Sequence, residues 1–320
     1  MAENVEIIKG TSLGRDAWNR LLKNKLAVFG MIVLGIMVIA VIIGPSILYA
    51  ITGFTAEAIP ADGNLISSFP PTWQHPMGTD EAGRDLLARV LQGGRISLMV
   101  GIISTIVSLI VGVSYGAIAG YLGGRIDNLM MRIVDIIYAI PYILIVIVLL
   151  SFFGGPNTPK WITAMSDLFG GAGNAGVSQI FLLFFALGLV SWLTMARVVR
   201  GQILSLKNQE FVMAAKATGV STPSIIFRHL VPNALGPVIV YATLTVPSVM
   251  LTEAFLSFLG LGVQAPYASW GSLCADGIKN IAIFPWQLIF PGVTMALTLF
   301  SLNFLGDGLR DALDPQTRKF

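Results

Sequence analysis

From Leu26 to Ala50 the chain runs without one charged side chain. Such a run leaves few options. In hydrocarbon no water is available to bond the backbone, so a spanning segment must satisfy its N–H and C=O groups internally, as a helix. About 20 apolar residues cross the bilayer core. Five further stretches qualify, between Arg95 and Arg125 and from about Ile136 to Phe153, Ile180 to Ala196, Ala234 to Phe258 and Ile283 to Leu305. Of the 320 residues, 55% are hydrophobic and 12% charged, whereas a soluble domain carries about 25% charge. The deficit excludes a water-soluble globule and predicts an all-α, polytopic membrane protein with six spans. Pro141 falls in the third span, Pro237 and Pro247 in the fifth, Pro285 and Pro291 in the sixth. Carbonyls freed by proline must be re-satisfied by neighbours or water, which fits either ordinary kinked packing or helices around a cavity. No cleavable leader fits the N-terminus, because its first residues are polar and the apolar run after them is too long for a signal segment.

Charge orients the spans. With the N-terminus inside, the inner segments hold Lys9, Arg15, Arg20, Lys23, Lys25, Arg125, Arg132, Arg197, Arg200, Lys207, Lys216, Arg228, Arg310, Arg318 and Lys319. The outer segments hold Arg84, Arg89, Arg95, Lys160 and Lys279. Cytoplasmic loops carry the excess of Lys and Arg, so both termini are expected in the cytoplasm. The expected organisation is a cytoplasmic segment 1–25, a first helix and external loop over 26–95, a five-helix core over 96–305 and a cytoplasmic tail 306–320. Within the loop, Asp80 to Arg95 places Leu86, Leu87, Val90 and Leu91 on one face and charges opposite, as an amphipathic helix on the outer membrane surface would.

Between the fourth and fifth spans a cytoplasmic loop, 197–233, interrupts the apolar pattern. Its centre reads EFVMAAKATGVSTPSIIFRHLVPN, from Glu210 to Asn233. Phe211, Ala214, Ala215 and Thr218 fall on one helical face, and their mostly small side chains would let another surface approach closely. Gly219 suits a left-handed helix end. Thr222 is a suitable N-cap and Pro223 a suitable first helical residue. Ile225, Ile226 and Leu230 form an apolar stripe, and Pro232 marks the start of the fifth span. The pattern is a helix–turn–helix that could dock on a cytosolic partner or lie flat in the membrane interface.

Ala214-Ala215, then Gly219, then Pro232 resemble the EAA loop of ABC importer permeases. Met213 stands where the family often has Glu, Val231 replaces Leu before the proline, and Glu210 lies one helical turn away. The segments HPMGTDEAGRDLLARVLQGGRISL, GGRIDNLMMRIVDIIYAIPY, SLKNQEFVMAAKATGVS, VPSVMLTEAFLSFLGLGVQAP and LNFLGDGLRDALDP are similar, in the same order, to peptide-type permeases, specifically the C-type membrane subunit of oligopeptide permeases. The resemblance implies a type I importer permease fold, MetI-like, in the bacterial cytoplasmic membrane. It implies a B-type permease subunit as heterodimer partner, two ABC ATPase subunits and an extracytoplasmic peptide-binding protein, which the Asp80–Arg95 stretch could help dock. It also makes Glu210, Ala214, Ala215, Lys216, Gly219, Val220, Ser221 and Pro232 the coupling loop. Import of dipeptides, nickel or another small solute by the same architecture stays open, as does a passive channel or scaffold.

The chain is expected to bind no cofactor or nucleic acid, with ATP and magnesium held by the partner ATPases. It has no G-x-x-x-x-G-K-[ST] phosphate loop, and FGGAGNAG, from Phe169 to Gly176, lacks the lysine. His75 and His229 fall on opposite sides of the bilayer, so they cannot share a metal or catalytic site. Cys274, the one cysteine, excludes an internal disulfide and a cysteine metal cluster. With no His or Lys inside a span, no catalytic constellation is expected, and the chain is read as a non-catalytic translocation subunit. Asp135 and Arg132, at i and i+3, are expected to pair. Glu253, late in the fifth span, must face protein or water rather than lipid. It is either a pathway group meeting a peptide's ammonium end or a bonded bundle residue. Thr243, Thr245 and Ser248 suit the wall of a permissive peptide path, and suit ordinary helix packing equally.

Overall fold

The computed structural model describes residues 13–59, 68–153, 158–168 and 175–313. Lys9, Arg318, Lys319 and most of the glycine-rich run lie outside these residues. The order is α1 (Leu13–Lys23), α2 (Lys25–Thr52), α3 (Leu86–Leu122), α4 (Gly124–Ala139), α5 (Tyr142–Phe153), α6 (Lys160–Leu168), α7 (Ala175–Leu206), α8 (Glu210–Ala217), α9 (Thr222–Ser224), a π-helical turn (Ile225–Leu230), α10 (Val231–Phe258), α11 (Trp270–Lys279) and α12 (Trp286–Leu313). Among the described residues there is no strand, only an isolated bridge between Thr79 and Asp85. Among the described residues five helices are long and apolar enough to span, and α4 with α5 passes the same test only when the bent pair is taken together.

The centre of the bundle is the long pairing of α3 with α7. Gly112, Gly116 and Gly120 recur every fourth residue on α3, and a Cβ at Gly116 would collide with the Ala196 carbonyl of α7. Gly188 of α7 returns the favour against Val107 and the Ser104 carbonyl. Small residues at this spacing let two backbones touch, which is how helices associate where lipid supplies no hydrophobic drive. The Ser104 hydroxyl then donates across the seam to the Phe184 carbonyl at 2.7 Å.

Proline is tolerated in α2 for a visible reason. Pro45 cannot donate to the Val41 carbonyl one turn back, and Arg95 of α3 donates there instead at 2.6 Å and to Ile42 at 2.5 Å. Pro141 behaves differently. It lacks an N–H, and it holds Ile140 at φ −81 and ψ 130, an extended conformation. The expected continuous third span is therefore broken, with α4 and α5 meeting at 85°. α4 is fixed to α7 by a fork between Asp127 and Arg200, at 2.5 and 2.7 Å. Asp135 pairs with Arg197 of α7 at 2.7 Å, not with Arg132 as the spacing suggested.

The expected surface helix over Asp80 to Arg95 is also corrected. Asp80 closes a turn by accepting from the Ala82 and Arg84 N–H groups at 2.9 Å. Asp85 caps the next helix through the Ala88 N–H at 2.7 Å. From Leu86 onward the segment is the first part of α3, with Leu86 and Val90 buried. The stretch is hydrophobic on one face because that face packs on protein. At the same end Trp270, fully buried, donates from its indole to the Val90 carbonyl at 2.8 Å and holds α11 against α3.

Candidate functional site

The loop between α7 and α10 is a packed elbow. α8 ends in paired reverse bonds, Val220 N–H to the Ala215 carbonyl and Gly219 N–H to the Lys216 carbonyl, both 3.1 Å. That is the Schellman arrangement, which needs a left-handed residue after the helix. Gly219 supplies it at φ +76. The Thr218 hydroxyl covers the Ala214 and Ala215 carbonyls.

Beneath α8, Val212 and Ala215 are buried in one cluster with Ile225, Ile226 and Leu230, and with Met195, Val199 and Ile203 of α7. The sequence-predicted apolar stripe is thus the floor on which α8 rests. The face it presents is corrected. Ala215 points inward and Phe211 is partly covered, while Glu210, Met213, Ala214, Ala217 and Thr218 are exposed. Lys216 extends over the Tyr121 ring of α3, 5.2 Å from its centroid. Val220 is half-buried, and Ser221 and Pro232 are exposed.

The second arm is not a separate helix. Ser221, rather than Thr222, occupies the cap position and makes no side-chain cap bond. From Thr222 the chain continues as helix to Phe258, so the loop proper is shorter than 197–233. Pro232 sits in the first turn of α10. The elbow is thereby joined to a 37-residue rod.

Asp16 and Arg20 of α1, Gln202 of α7, Asn233 of α10 and Arg310 of α12 line one cavity of about 720 Å³. The first described helix, the last one and the elbow therefore share one end of the bundle.

A second cavity, about 500 Å³, opens at the break between α4 and α5. Thr245 and Ser248 line it, opposite Tyr138 and Tyr142 at the break and Ser191 and Thr194 of α7. Thr243, the remaining predicted hydroxyl, donates to the Ile239 carbonyl at 2.9 Å and lies outside the lining.

Glu253 is bonded inside the bundle. It is 1% exposed, and one carboxyl oxygen accepts from the Ser257 and Ser269 hydroxyls at 2.7 Å each. Ser269 caps α11, so Glu253 ties α10 to α11. The pathway expectation gives way to the bonded one, because a carboxyl buried this deeply needs partners. Glu253→Gln keeps an acceptor oxygen and is therefore expected to leave the α10–α11 tie in place, read as an unchanged melting temperature; a marked drop would show that the carboxylate itself is required.

Residues 112–319 match the family described as binding-protein-dependent transport system inner membrane component. Residues 12–74 match the N-terminal transmembrane domain of oligopeptide transport permease C. The chain is 46% identical to the oligopeptide transport system permease protein OppC of Haemophilus influenzae, over 97% of this chain and 91% of that one. It is 46% identical to OppC of Escherichia coli K12, over 99% and 95%. It is 42% identical to the dipeptide transport system permease protein DppC of Bacillus subtilis 168, over 96% and 87%. A chain of the MetNI methionine ABC transporter, solved facing inward, covers 70% of this chain at 17% identity and a TM-score of 0.49, a likeness too distant to bear on conformation.

Proposed function

Since the chain belongs to the family of binding-protein-dependent transport inner membrane components, we propose that it is the membrane-spanning subunit of an ATP-driven importer that carries oligopeptides inward by alternating access. The observation that carries the mechanism is the elbow. A small, exposed helical face built on Met213, Ala214 and Ala217 sits on a buried apolar floor and is continuous with a spanning rod. Such a part transmits force without deforming, because packed apolar cores resist compression.

Two ATPase subunits supply the force and bind the ATP and magnesium, and a B-type permease subunit completes the pathway. An extracytoplasmic receptor delivers the peptide. The elbow end faces the cytoplasm, as the excess of basic residues there requires, and both termini lie on that side. Closure of the ATPase dimer on ATP moves the two α8 elbows, the spans open outward to accept peptide, and hydrolysis resets them. This chain contributes no catalytic group.

Import of dipeptides is a second reading, supported by the 42% identity to a dipeptide permease. Reconstitution with the cognate receptor tests both. Purified complex is expected to contain a nucleotide-binding subunit and to take up peptide only with ATP and receptor. Longer peptides entering at rates comparable to dipeptides favour the first reading, and dipeptides alone the second. A chain that purifies with no nucleotide-binding subunit contradicts the proposal.

A further inference from the structure

The cavity at the broken span has a lining with an unusual chemical restriction. None of its lining residues is Asp, Glu, Lys, Arg or His. Its polar groups are hydroxyls from three separate parts of the chain, the α4–α5 break, α7 and α10.

Those hydroxyls are not equivalent in what they offer. A Ser or Thr hydroxyl has one donor hydrogen and two acceptor lone pairs. Ser191 spends its hydrogen on the Leu187 carbonyl at 2.9 Å. Thr245 spends its own on the Tyr241 carbonyl at 2.8 Å, and Ser248 on the Leu244 carbonyl at 3.1 Å. What remains at these three is acceptor capacity, while Thr194 and the hydroxyls of Tyr138, Tyr142 and Tyr241 line the same space. The carbonyl end of α4 borders the same space through Ile137 to Ile140, where the Ile137 carbonyl accepts the Ile140 N–H at 3.2 Å and a helix's other last carbonyls lack intrahelical partners. The cavity volume of about 500 Å³ falls within the range of sites that enclose a small ligand.

The geometry points to a subsite for peptide main chain, in which the oxygens of Ser191, Thr245 and Ser248 accept hydrogen bonds from the amide N–H groups of a peptide in transit. A peptide presents one such donor at nearly every residue whatever its sequence. A neutral wall carrying these acceptors therefore holds the backbone and ignores side-chain charge. An ionised wall would instead favour peptides of opposite charge and retain them. The cavity opens at the α4–α5 break, whose residues Tyr138 to Tyr142 form one of its walls. The inference rests on the peptide-importer reading given above.

The test uses the whole complex with its receptor. Cys274→Ser removes the single native cysteine, and Ser248→Cys or Ser191→Cys then places one thiol on the cavity wall. Labelling by a small polar thiol reagent is measured with no peptide, with a tripeptide, and with its depsipeptide analogue, in which an ester oxygen replaces one amide N–H. The tripeptide is expected to slow labelling at both positions, and the depsipeptide to protect about three- to tenfold less well, as loss of one hydrogen bond implies. Acidic, basic and neutral tripeptides are expected to protect alike. Equal protection by tripeptide and depsipeptide, protection that follows side-chain charge, or labelling that ignores peptide altogether each overturns the subsite. The last result identifies the cavity as packing space for lipid or a partner helix. Receptor-stimulated ATP hydrolysis is read in the same samples. Its presence with no peptide protection sinks the subsite alone, and its absence sinks the importer reading with it.

Discussion

Replacing Gly219 with valine is expected to cut peptide uptake by an order of magnitude or more while the chain still inserts and still binds its ATPase partners. The left-handed φ of +76 costs a residue with a Cβ ~1–2 kcal/mol, and β-branched residues most. No atom lies within 4 Å of a Cβ built at Gly219, so the penalty is backbone strain and not collision. The strain is relieved by opening the two reverse bonds that end α8. The exposed face survives for docking, but its rigid link to the spanning rod does not, so ATP hydrolysis proceeds with little transport. Gly219→Asn, which tolerates the left-handed region far better, is expected to retain most uptake. Uptake and ATPase rates measured on the same proteoliposomes check the pair. Valine at wild-type coupling removes the lever from the account.

The second large effect belongs to the bundle's centre. Gly116→Leu is expected to abolish assembly of the membrane complex. Overpacking a core commonly costs about 1–3 kcal/mol, but here the obstruction is the Ala196 backbone itself, which cannot rotate away as a side chain can. α3 and α7 must separate, and the close approaches at Gly112, Gly120 and Gly188 are lost together. Gly201→Leu on the exposed side of α7, where a Cβ meets nothing within 4 Å, is the control and is expected to assemble normally. The amount of partner subunit co-purifying with each variant reads the result. Normal assembly of Gly116→Leu means the glycine seam is dispensable.

The reach of the sequence followed the range of the physics. Apolar length located five spanning helices and the bent α4–α5 pair, because the bilayer imposes that length locally. The Gly219 turn was legible because a left-handed helix end has few acceptable residues. Pro141 was not distinguishable from Pro237 and Pro247 by type. What separates them is tertiary. Asp127 and Asp135 hold α4 to Arg200 and Arg197, while Val146 of α5 is buried against the other half of α7. The two arginines lie more than 60 residues from their aspartates along the chain, beyond any periodicity argument.

On α8, Phe211, Ala214, Ala215 and Thr218 share a helical side whose Ala214 and Thr218 are exposed, while Ala215 rests on the floor made by α7 and the π-helical turn, which the sequence alone does not show. The bonding of Glu253 likewise required Ser269, on a different helix. The α3 face meeting α7 is legible in the sequence, since Gly112, Gly116 and Gly120 form a small-residue repeat.

The central claim is that α8 is the handle by which a separate motor moves this chain. Ala214→Cys in a Cys274→Ser background puts one thiol at the exposed crown of α8. A short bifunctional reagent applied to the transport-competent complex should join it to a nucleotide-binding subunit, with a yield that changes when ATP is trapped. A complex that imports peptide yet never forms that link, or a position 214 thiol labelled from the exterior of sealed cells, contradicts the account.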